Sequence, residues 1–286
     1  MRALIQHNFT SGIGDFIVGI YEYLETVNTL KNFGYSVELI LNINNNPYIY
    51  SENFFDMFNK NIFSIFDSIK IVDTPINQNV YQDLTKVYTL GSADAGKHWW
   101  DLFISDPNNF KYDWLTIYPQ EQDKTPNDIK IFTDKIYKEY EDIKIEYGLN
   151  IPYKSIFFRT YDSIDESGLF VKYESVIKEI ILSNDKIFVC SNSSKIKNKI
   201  KKIDIDKVVT YDIPYEDVFG NHFRWGGDKL GLSSSELFKK SKYTIFDMLT
   251  ISDSIDISHI TEWNRSSNFL IFSKINKIKI TPFYDY

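Results

Sequence analysis

The chain has 286 residues, of which 43% are hydrophobic and 16% aromatic, a composition typical of a folded globular protein with a large core. Its net charge of −7 speaks against a general nucleic-acid-binding protein, and its single cysteine, Cys190, excludes an internal disulfide and a cysteine-rich zinc site. The amino-terminal residues lack the pattern of a signal peptide, and no apolar run is long enough to span a membrane. We therefore expect a cytoplasmic protein without an integral membrane segment.

The first part of the chain predicts a βαβ unit. Arg2–Gln6 and Val37–Leu41 are apolar runs of the length of a buried strand. Between them, Phe16–Asn32 carries apolar residues at helical spacing, and Gly34 is a suitable helix stop. A strand, a helix and a strand in this order indicate a parallel sheet.

Three further elements are predicted in the first half: a helix over Ser51–Phe66, a strand over Ile69–Val72, and a helix over Asp128–Tyr147 that ends at Gly148. The intervening segment 91–118 is rich in aromatic residues, among them Trp99 and Trp100. Aromatic faces suit the C–H faces of sugars, so these two tryptophans are weak candidates for acceptor binding, although core packing is the commoner role.

The alternation of strands and helices restarts after Pro152. Strands are predicted over Ser155–Phe158, Lys186–Cys190, Lys207–Thr210 and Tyr243–Phe246, and helices over Tyr173–Leu182, Ser194–Ile200 and Ser233–Lys240. We therefore predict an α/β protein with two Rossmann-like halves, 1–150 and 151–286, that face a central cleft.

The loop after the first predicted strand contains Gly12 and Gly14, which allow close approach of the backbone to a ligand. The full dinucleotide fingerprint is missing because Ile17 occupies its third glycine position, which disfavours a nicotinamide enzyme. Asp15 comes next and is a candidate general base in the cleft. The alternative is that its carboxylate only complements the helix dipole.

Polar residues follow two predicted strands of the second half. Arg159 ends the first of them, and a guanidinium at the carboxyl end of a parallel strand can hold a diphosphate with two hydrogen bonds. Asp162 could fix that arginine, although a surface Arg–Asp pair is equally compatible with the sequence. Asn192 follows the second of these strands and would face the same crevice.

Near the carboxyl terminus, Asp247 follows the predicted strand Tyr243–Phe246, and Ser266 and Ser267 precede a helical pattern. Hydroxyl and free N–H groups at a helix start can hold phosphate, although an ordinary serine cap explains the same residues. The four histidines show no metal-ligand spacing. Asp204 and Asp206 lie in a lysine-flanked run typical of a solvated edge, so we predict no metal site.

In chain order, four segments resemble the motifs of the fucosyltransferase-like glycosyltransferases, metal-independent GT-B enzymes with two Rossmann halves that use GDP-fucose. The segments are Gly12-Ile13-Gly14-Asp15, Phe157-Phe158-Arg159-Thr160-Tyr161-Asp162, Ser191-Asn192, and Asp247 with Ser266-Ser267-Asn268-Phe269. The resemblance implies that Arg159 binds the nucleotide diphosphate, that Asp247 binds guanine or ribose, and that Ser266 and Ser267 bind the phosphates. Phe157 replaces the family's histidine, Thr160 its second arginine, and Asn192 an acidic residue.

The resulting hypothesis is an inverting, metal-independent glycosyltransferase that needs no cofactor and moves fucose from GDP-fucose onto a glycan or another hydroxyl acceptor. Asp15 would be the base, with Asp94, Asp101 and Asp113 as alternatives. Asp15 also resembles the base of the heptosyltransferases, which would imply an ADP-sugar donor. A non-catalytic nucleotide- or glycan-binding protein on this scaffold, and an α/β enzyme of unrelated chemistry, remain open.

Overall fold

The computed structural model describes residues 2–8, 13–42, 54–72, 86–90, 130–159, 166–211, 233–261, 270, 272–273 and 277–282. The chain divides into two compact units, Met1–Thr133 and Asp134–Tyr286. This boundary lies before the predicted one at residue 150, and the helix predicted over Asp128–Tyr147 falls in the second unit.

The first unit contains a parallel sheet of four strands. Its elements are β1 (Arg2–Asn8), α1 (Ile13–Asn32), β2 (Ser36–Asn42), β3 (Ser68–Val72) and β4 (Lys86–Leu90). The strand order is β3-β2-β1-β4. The predicted βαβ unit is therefore confirmed, and β4 is a strand that the sequence pattern did not reveal.

Helix α1 has the buried stripe and the stop signal that the sequence predicts. Ile17, Val27 and Leu30 are fully buried. Gly34 adopts φ 82°, and Tyr35 donates its N–H to the Leu30 carbonyl at 3.1 Å, which closes the helix end. Only glycine adopts this left-handed conformation without steric cost.

The helix predicted over Ser51–Phe66 is wrong in its described part, which instead forms two 3-10 helices, Phe54–Met57 and Lys60–Phe63. The side chain of Asn59 interrupts the pattern because it accepts a hydrogen bond from the Asn61 N–H at 3.1 Å. Short polar side chains that bond to nearby backbone groups compete in this way with a regular helix.

The second unit contains a parallel sheet of five strands in the order β7-β6-β5-β8-β9. Its strands are β5 (Lys154–Phe158), β6 (Ile187–Ser191), β7 (Val208–Val209), β8 (Ile257–Thr261) and β9 (Ile278–Pro282). Its helices are α2 (Asp134–Glu146), α3 (Glu166–Leu182), α4 (Ser194–Lys201) and α5 (Ser234–Asp253). The α/β class with parallel sheets in both halves is confirmed.

The two faces of this sheet carry different side chains. One face packs on α3 and α4 through Ile156, Phe158, Ile177, Ile181, Val189, Ile196, Ile200 and Ile260. The residues that alternate with these, Phe157, Cys190 and His259, point to the opposite face. Cys190 contacts Asp247 of α5 there, so helices cover both faces, as expected for a parallel sheet.

The strand predicted over Tyr243–Phe246 is wrong, since these residues lie inside α5. The helix is buried over most of its circumference in this region, including Ile245, Phe246, Met248 and Leu249. A short apolar run without polar interruptions is equally compatible with a buried strand or a buried helix. The strand of this region is β8, which begins later, at Ile257.

Helix α2 belongs to the second unit because it packs against α5. Tyr140 donates its hydroxyl to Asp253 Oδ2 at 2.5 Å, and Lys144 Nζ lies 2.7 Å from the same oxygen. Lys242 of α5 forms an ion pair with Glu139 at 2.7 Å. These contacts explain why the boundary precedes α2. Of the helices in the described ranges, none is both long enough and apolar enough to cross a membrane.

Candidate functional site

The second unit has a topological switch point between β5 and β8. The chain adds β6 and β7 on one side of β5 and then crosses to add β8 and β9 on the other side. In open parallel sheets, ligands bind in the crevice outside the carboxyl ends of the strands at such a point. The chain leaves β5 at Arg159 and leaves β8 after Thr261, so these two residues mark the candidate site.

Arg159 lies at the carboxyl end of β5, as the sequence predicts. Its backbone N–H donates to the carbonyl of Ile260 at 2.9 Å, which fixes the residue beside the end of β8. Its side chain is half-buried. A guanidinium in this position can hold an anionic group in the crevice. Its assignment to a diphosphate stays a prediction, and Asp162 lies outside the described residues.

Ser266 and Ser267 follow β8, the strand that pairs with β5. Both serines lie outside the described residues, so their predicted contact with phosphate stays a prediction. The topology adds that their segment leaves the sheet at the strand next to the one that Arg159 ends.

Asn192 lies directly after β6, at the same edge of the sheet, and is buried. The next residue, Ser193, caps α4 by accepting a hydrogen bond from the Ile196 N–H at 3.3 Å. The structure therefore places Asn192 at a strand end, as predicted. Its contact with a nucleotide stays a prediction.

Asp247 does not lie at a strand end, which corrects the position predicted for it. It is a residue of α5 and is 1% exposed. Cys190 donates its thiol to Asp247 Oδ2 at 3.4 Å, and Lys197 Nζ lies 3.7 Å from that oxygen. Burial raises the pKa of Asp247 to about 6, although the charge of Lys197 acts in the opposite direction. These internal contacts link α5 to α4 and β6, and a contact with guanine or ribose stays a prediction.

Lys197 is a residue for which the sequence suggested no role. It is 3% exposed, and its Nζ donates to the carbonyl of Tyr211 at 3.2 Å. A buried lysine needs such partners, because burial of an unpaired ammonium group is costly. It lies among other lysines of α4, so no local pattern distinguishes it.

His259 is a second residue that the sequence did not single out. It lies in β8 beside Phe157 of β5, with ring centroids 4.9 Å apart and an interplanar angle of 17°. The side chain is fully buried. Burial, and secondarily the charge of Arg159, lower the pKa of His259 to about 3.

The first unit has its own switch point between β1 and β4. The chain leaves β1 toward Gly12, Gly14 and Asp15, and leaves β4 toward the aromatic segment 91–118. Gly14, which is buried, and Asp15 lie in the first turn of α1. The loop predicted to bind the donor nucleotide and the segment predicted to bind the acceptor therefore follow neighbouring strands of this sheet. Gly12, Trp99, Trp100, Asp94, Asp101 and Asp113 lie outside the described residues, and the structure does not describe the side chain of Asp15.

Within the ranges that the structure describes, no group of three or more His, Cys, Asp or Glu side chains could hold a metal ion.

No protein-family model matches the chain, and no curated protein matches its sequence. In structure, the chain is similar to the fucosyltransferase NodZ from Bradyrhizobium, with a TM-score of 0.49 and 12% identity over 96% of this chain and 92% of that one. Structures of NodZ alpha-1,6-fucosyltransferase co-crystallized with GDP and soaked with GDP-fucose give TM-scores of 0.49 and 0.48 at the same identity and coverage. These proteins are of the class that the sequence motifs resemble.

Proposed function

We propose that the chain is an inverting, metal-independent glycosyltransferase that moves a sugar from a nucleoside diphosphate donor to a hydroxyl acceptor. The position of Arg159 supports this most directly. It ends β5 at the switch point of the second unit, where open parallel sheets bind their ligands. The segment that contains Ser266 and Ser267 begins at the adjacent strand end, so cationic and hydroxyl groups follow neighbouring strands.

The proposed reaction is a single displacement. The acceptor oxygen forms a bond to the anomeric carbon while the bond from that carbon to the diphosphate oxygen breaks, which inverts the configuration. Asp15 takes the proton of the acceptor hydroxyl. The departing diphosphate carries the negative charge that develops, and Arg159, with Ser266 and Ser267, stabilises it. Fixed donors of this kind are typically worth a few kcal/mol each in the transition state.

We propose GDP-fucose as the donor and a glycan as the acceptor. The donor rests on the order of the sequence motifs around Asp15, Arg159 and Ser266. The acceptor rests on the tryptophan-rich segment that follows β4, which leaves the first sheet next to the strand that leads to Asp15. Aromatic side chains in such a place suit a sugar ring.

Nucleotide binding to the unmodified protein tests the donor site. We expect GDP, without added metal, to raise the melting temperature more than UDP, ADP or CDP, because a ligand that binds only the folded state stabilises it. Arg159→Ala should abolish the shift. The matched control, Arg159→Lys, keeps the positive charge but cannot form the bidentate hydrogen bonds of arginine, and it should retain part of the shift in melting temperature. A preference for ADP would favour a heptosyltransferase-like donor, and no shift with any nucleotide would overturn the proposal.

A second candidate function is nucleotide or glycan binding without catalysis. It is favoured by Phe157, which occupies the position of the histidine in the resembled motif and is buried against His259. Hydrolysis of the donor in the absence of acceptor separates the two functions. A transferase should release free sugar slowly, whereas a binding protein should leave the donor intact.

A further inference from the structure

His259 occupies the strand pair that flanks the switch point. In the register of β5 and β8 it lies opposite Phe157, and the two rings stack. Arg159 follows Phe157 by two residues and therefore lies on the same side of the sheet. His259 thus lies on the same side of the strand pair as Arg159, two positions inward from it, and the charge of Arg159 contributes to lowering its pKa.

The imidazole is unusual because neither ring nitrogen has a hydrogen-bond partner within the described part of the chain, although the side chain is fully buried. Buried histidines normally have at least one partner, since an unpaired polar atom loses its hydrogen bonds to water on folding. Phe157 offers a ring face but no acceptor. An unpaired group in this position is therefore suited to a hydrogen-bond partner that a ligand supplies.

The environment of His259 also determines its charge state. Burial and the neighbouring Arg159 hold its pKa at about 3, so the ring is neutral at physiological pH. A neutral imidazole has one N–H donor and one acceptor nitrogen. It can therefore donate to an anion next to Arg159, although it adds no positive charge of its own.

We propose that His259 is a further binding residue of the nucleotide site, whose neutral imidazole donates its N–H to a phosphate oxygen of the diphosphate that Arg159 holds. This inference rests on the proposed function, because the ligand class is taken from it. The ring is buried in the free protein, so the ligand reaches it only by displacing the groups that cover it. The phosphate oxygen then supplies the missing acceptor.

The variant that tests the inference is His259→Phe, which keeps an aromatic ring against Phe157 and removes both nitrogens. We expect the free variant to melt at the same temperature as the parent protein or higher, because two unpaired polar atoms are lost. Its dissociation constant for GDP, measured by calorimetry, should rise by about tenfold or more, as expected for a lost hydrogen bond to a charged group.

Ser155→Ala is the matched control. Ser155 belongs to the same strand pair, and its Oγ is likewise buried without a partner among the residues that the structure describes, but it lies near the amino end of β5. We expect this change to leave the melting temperature unchanged or higher and the affinity for GDP unaltered. A loss of affinity in His259→Phe alone therefore reports on the carboxyl edge and not on the packing of the strand pair.

A measurement on the unmodified protein does not depend on the folding of any variant. The chain has four histidines, so ¹⁵N-histidine spectra contain few signals, and comparison with His259→Phe assigns the signal of His259. We expect GDP to shift the protonated ring nitrogen of His259, while guanosine, which lacks phosphate, does not. If the variant fails to fold, the buried neutral tautomer still identifies the signal.

The outcomes of these experiments distinguish a failure of this inference from a failure of the proposed function. Unchanged His259 signals with GDP, together with wild-type affinity in His259→Phe, would make the residue an unpaired core histidine and overturn the inference. If Arg159→Ala loses GDP binding while His259→Phe does not, the proposed function stands and this inference fails. If the parent protein binds none of the nucleotides, both fall.

Discussion

Asp247 and Lys197 form a buried pair that joins two helices to the sheet. Both side chains are nearly inaccessible to water, at 2% and 3% exposure, and their closest atoms are 3.7 Å apart. Asp247 Oδ1 has no hydrogen-bond partner among the described residues. Desolvation of such a pair offsets much of its attraction, so its contribution lies more in fixing which groups meet than in net stability.

The stability of the protein should depend on pH through Asp247. Its folded-state pKa, about 6, lies above the ordinary value of 3.8, so the folded protein holds this proton more tightly than the unfolded chain. The resulting stabilisation is fully present below about pH 4 and is lost as the pH rises through 6. Relative to Asp247→Asn, the free energy of unfolding should therefore fall by roughly 3 kcal/mol across this range.

Urea unfolding of both proteins from pH 4 to 7.5 measures this difference, and other titrating groups cancel in it. A difference that does not vary with pH would contradict the raised pKa. Lys197→Met should move the transition to higher pH, because the ammonium group favours the ionised carboxylate.

Asp15→Asn tests the assignment of the base. Removal of a general base typically lowers a rate by about 10² to 10⁴, so kcat for sugar transfer should fall by that factor. The affinity for GDP should stay the same, because the assignment gives Asp15 no contact with the nucleotide. Full transfer activity in the variant would move the base to Asp94, Asp101 or Asp113.

The position of an individual residue could be predicted only where its place in the chain order, such as the end of a strand, determines it. The strand-end position of Arg159 could be predicted, because the carboxyl ends of parallel strands meet at one edge. The buried contacts of Lys197 and His259 could not, because they involve residues distant in sequence. Lys197 contacts Tyr211 and Asp247, and His259 contacts Phe157, which lie on elements that only the fold brings together.

Among the elements, α5 shows where sequence patterns succeed and fail. Its start was predicted correctly, and the structure shows a capping box in which Ser233 and Glu236 satisfy each other's backbone N–H groups. The length of α5 was not predicted correctly, because the buried run around Phe246 lacks the polar face that marks a surface helix.

Ser233→Ala should destabilise the protein by about 1 kcal/mol, the usual effect of losing a serine cap. The Ser233 hydroxyl accepts from the Glu236 N–H at 3.3 Å, and that donor would lose its partner. Ser235→Ala, a change at an exposed position in the first turn of the same helix, is the control and should have little effect. Equal stability of the two variants in urea unfolding would contradict a role for the cap.

Three strands were missed, and two of them have a visible reason. β8 contains Ser258 and His259, so it lacks the continuous apolar run of a buried strand. β9 ends in Pro282, and a proline argues against a strand in the sequence. The proline is tolerated because β9 lies at the edge of the sheet. For β4 the structure offers no comparable reason.

At the scale of the whole molecule, the alternation of strands and helices was sufficient to predict two parallel α/β units. The predicted boundary near Asn150-Ile151-Pro152 differs from the division after Thr133, since the turn that follows the helix also has the composition of a linker. What decides the boundary is the packing of α2, and side-chain contacts such as Tyr140 with Asp253 are not encoded in local composition.

A fragment that begins at Asp134 should therefore fold better than one that begins at Ile151, both ending at Tyr286. The shorter fragment lacks α2, whose buried residues Ile136, Tyr140 and Ile143 cover part of the unit. Burial of side chains of this size is worth about 1.5 to 3 kcal/mol each. Thermal melts followed by circular dichroism should show a lower or absent transition for the shorter fragment. Equal melting temperatures would place the boundary near residue 150.

The parallel pairing of β5 with β8 has a consequence for synthesis on the ribosome. Ser155 pairs with Ile257, so about a hundred residues must be made before β5 acquires this neighbour. At about 5–20 residues per second, one edge of a central strand stays open for roughly 5 to 20 seconds. Contacts so distant in sequence form slowly, and an open strand edge in a nascent chain favours aggregation. The strand pair that flanks the candidate site is therefore among the last parts of the unit to form, and the proposed ligand binding would begin only after β8 has emerged.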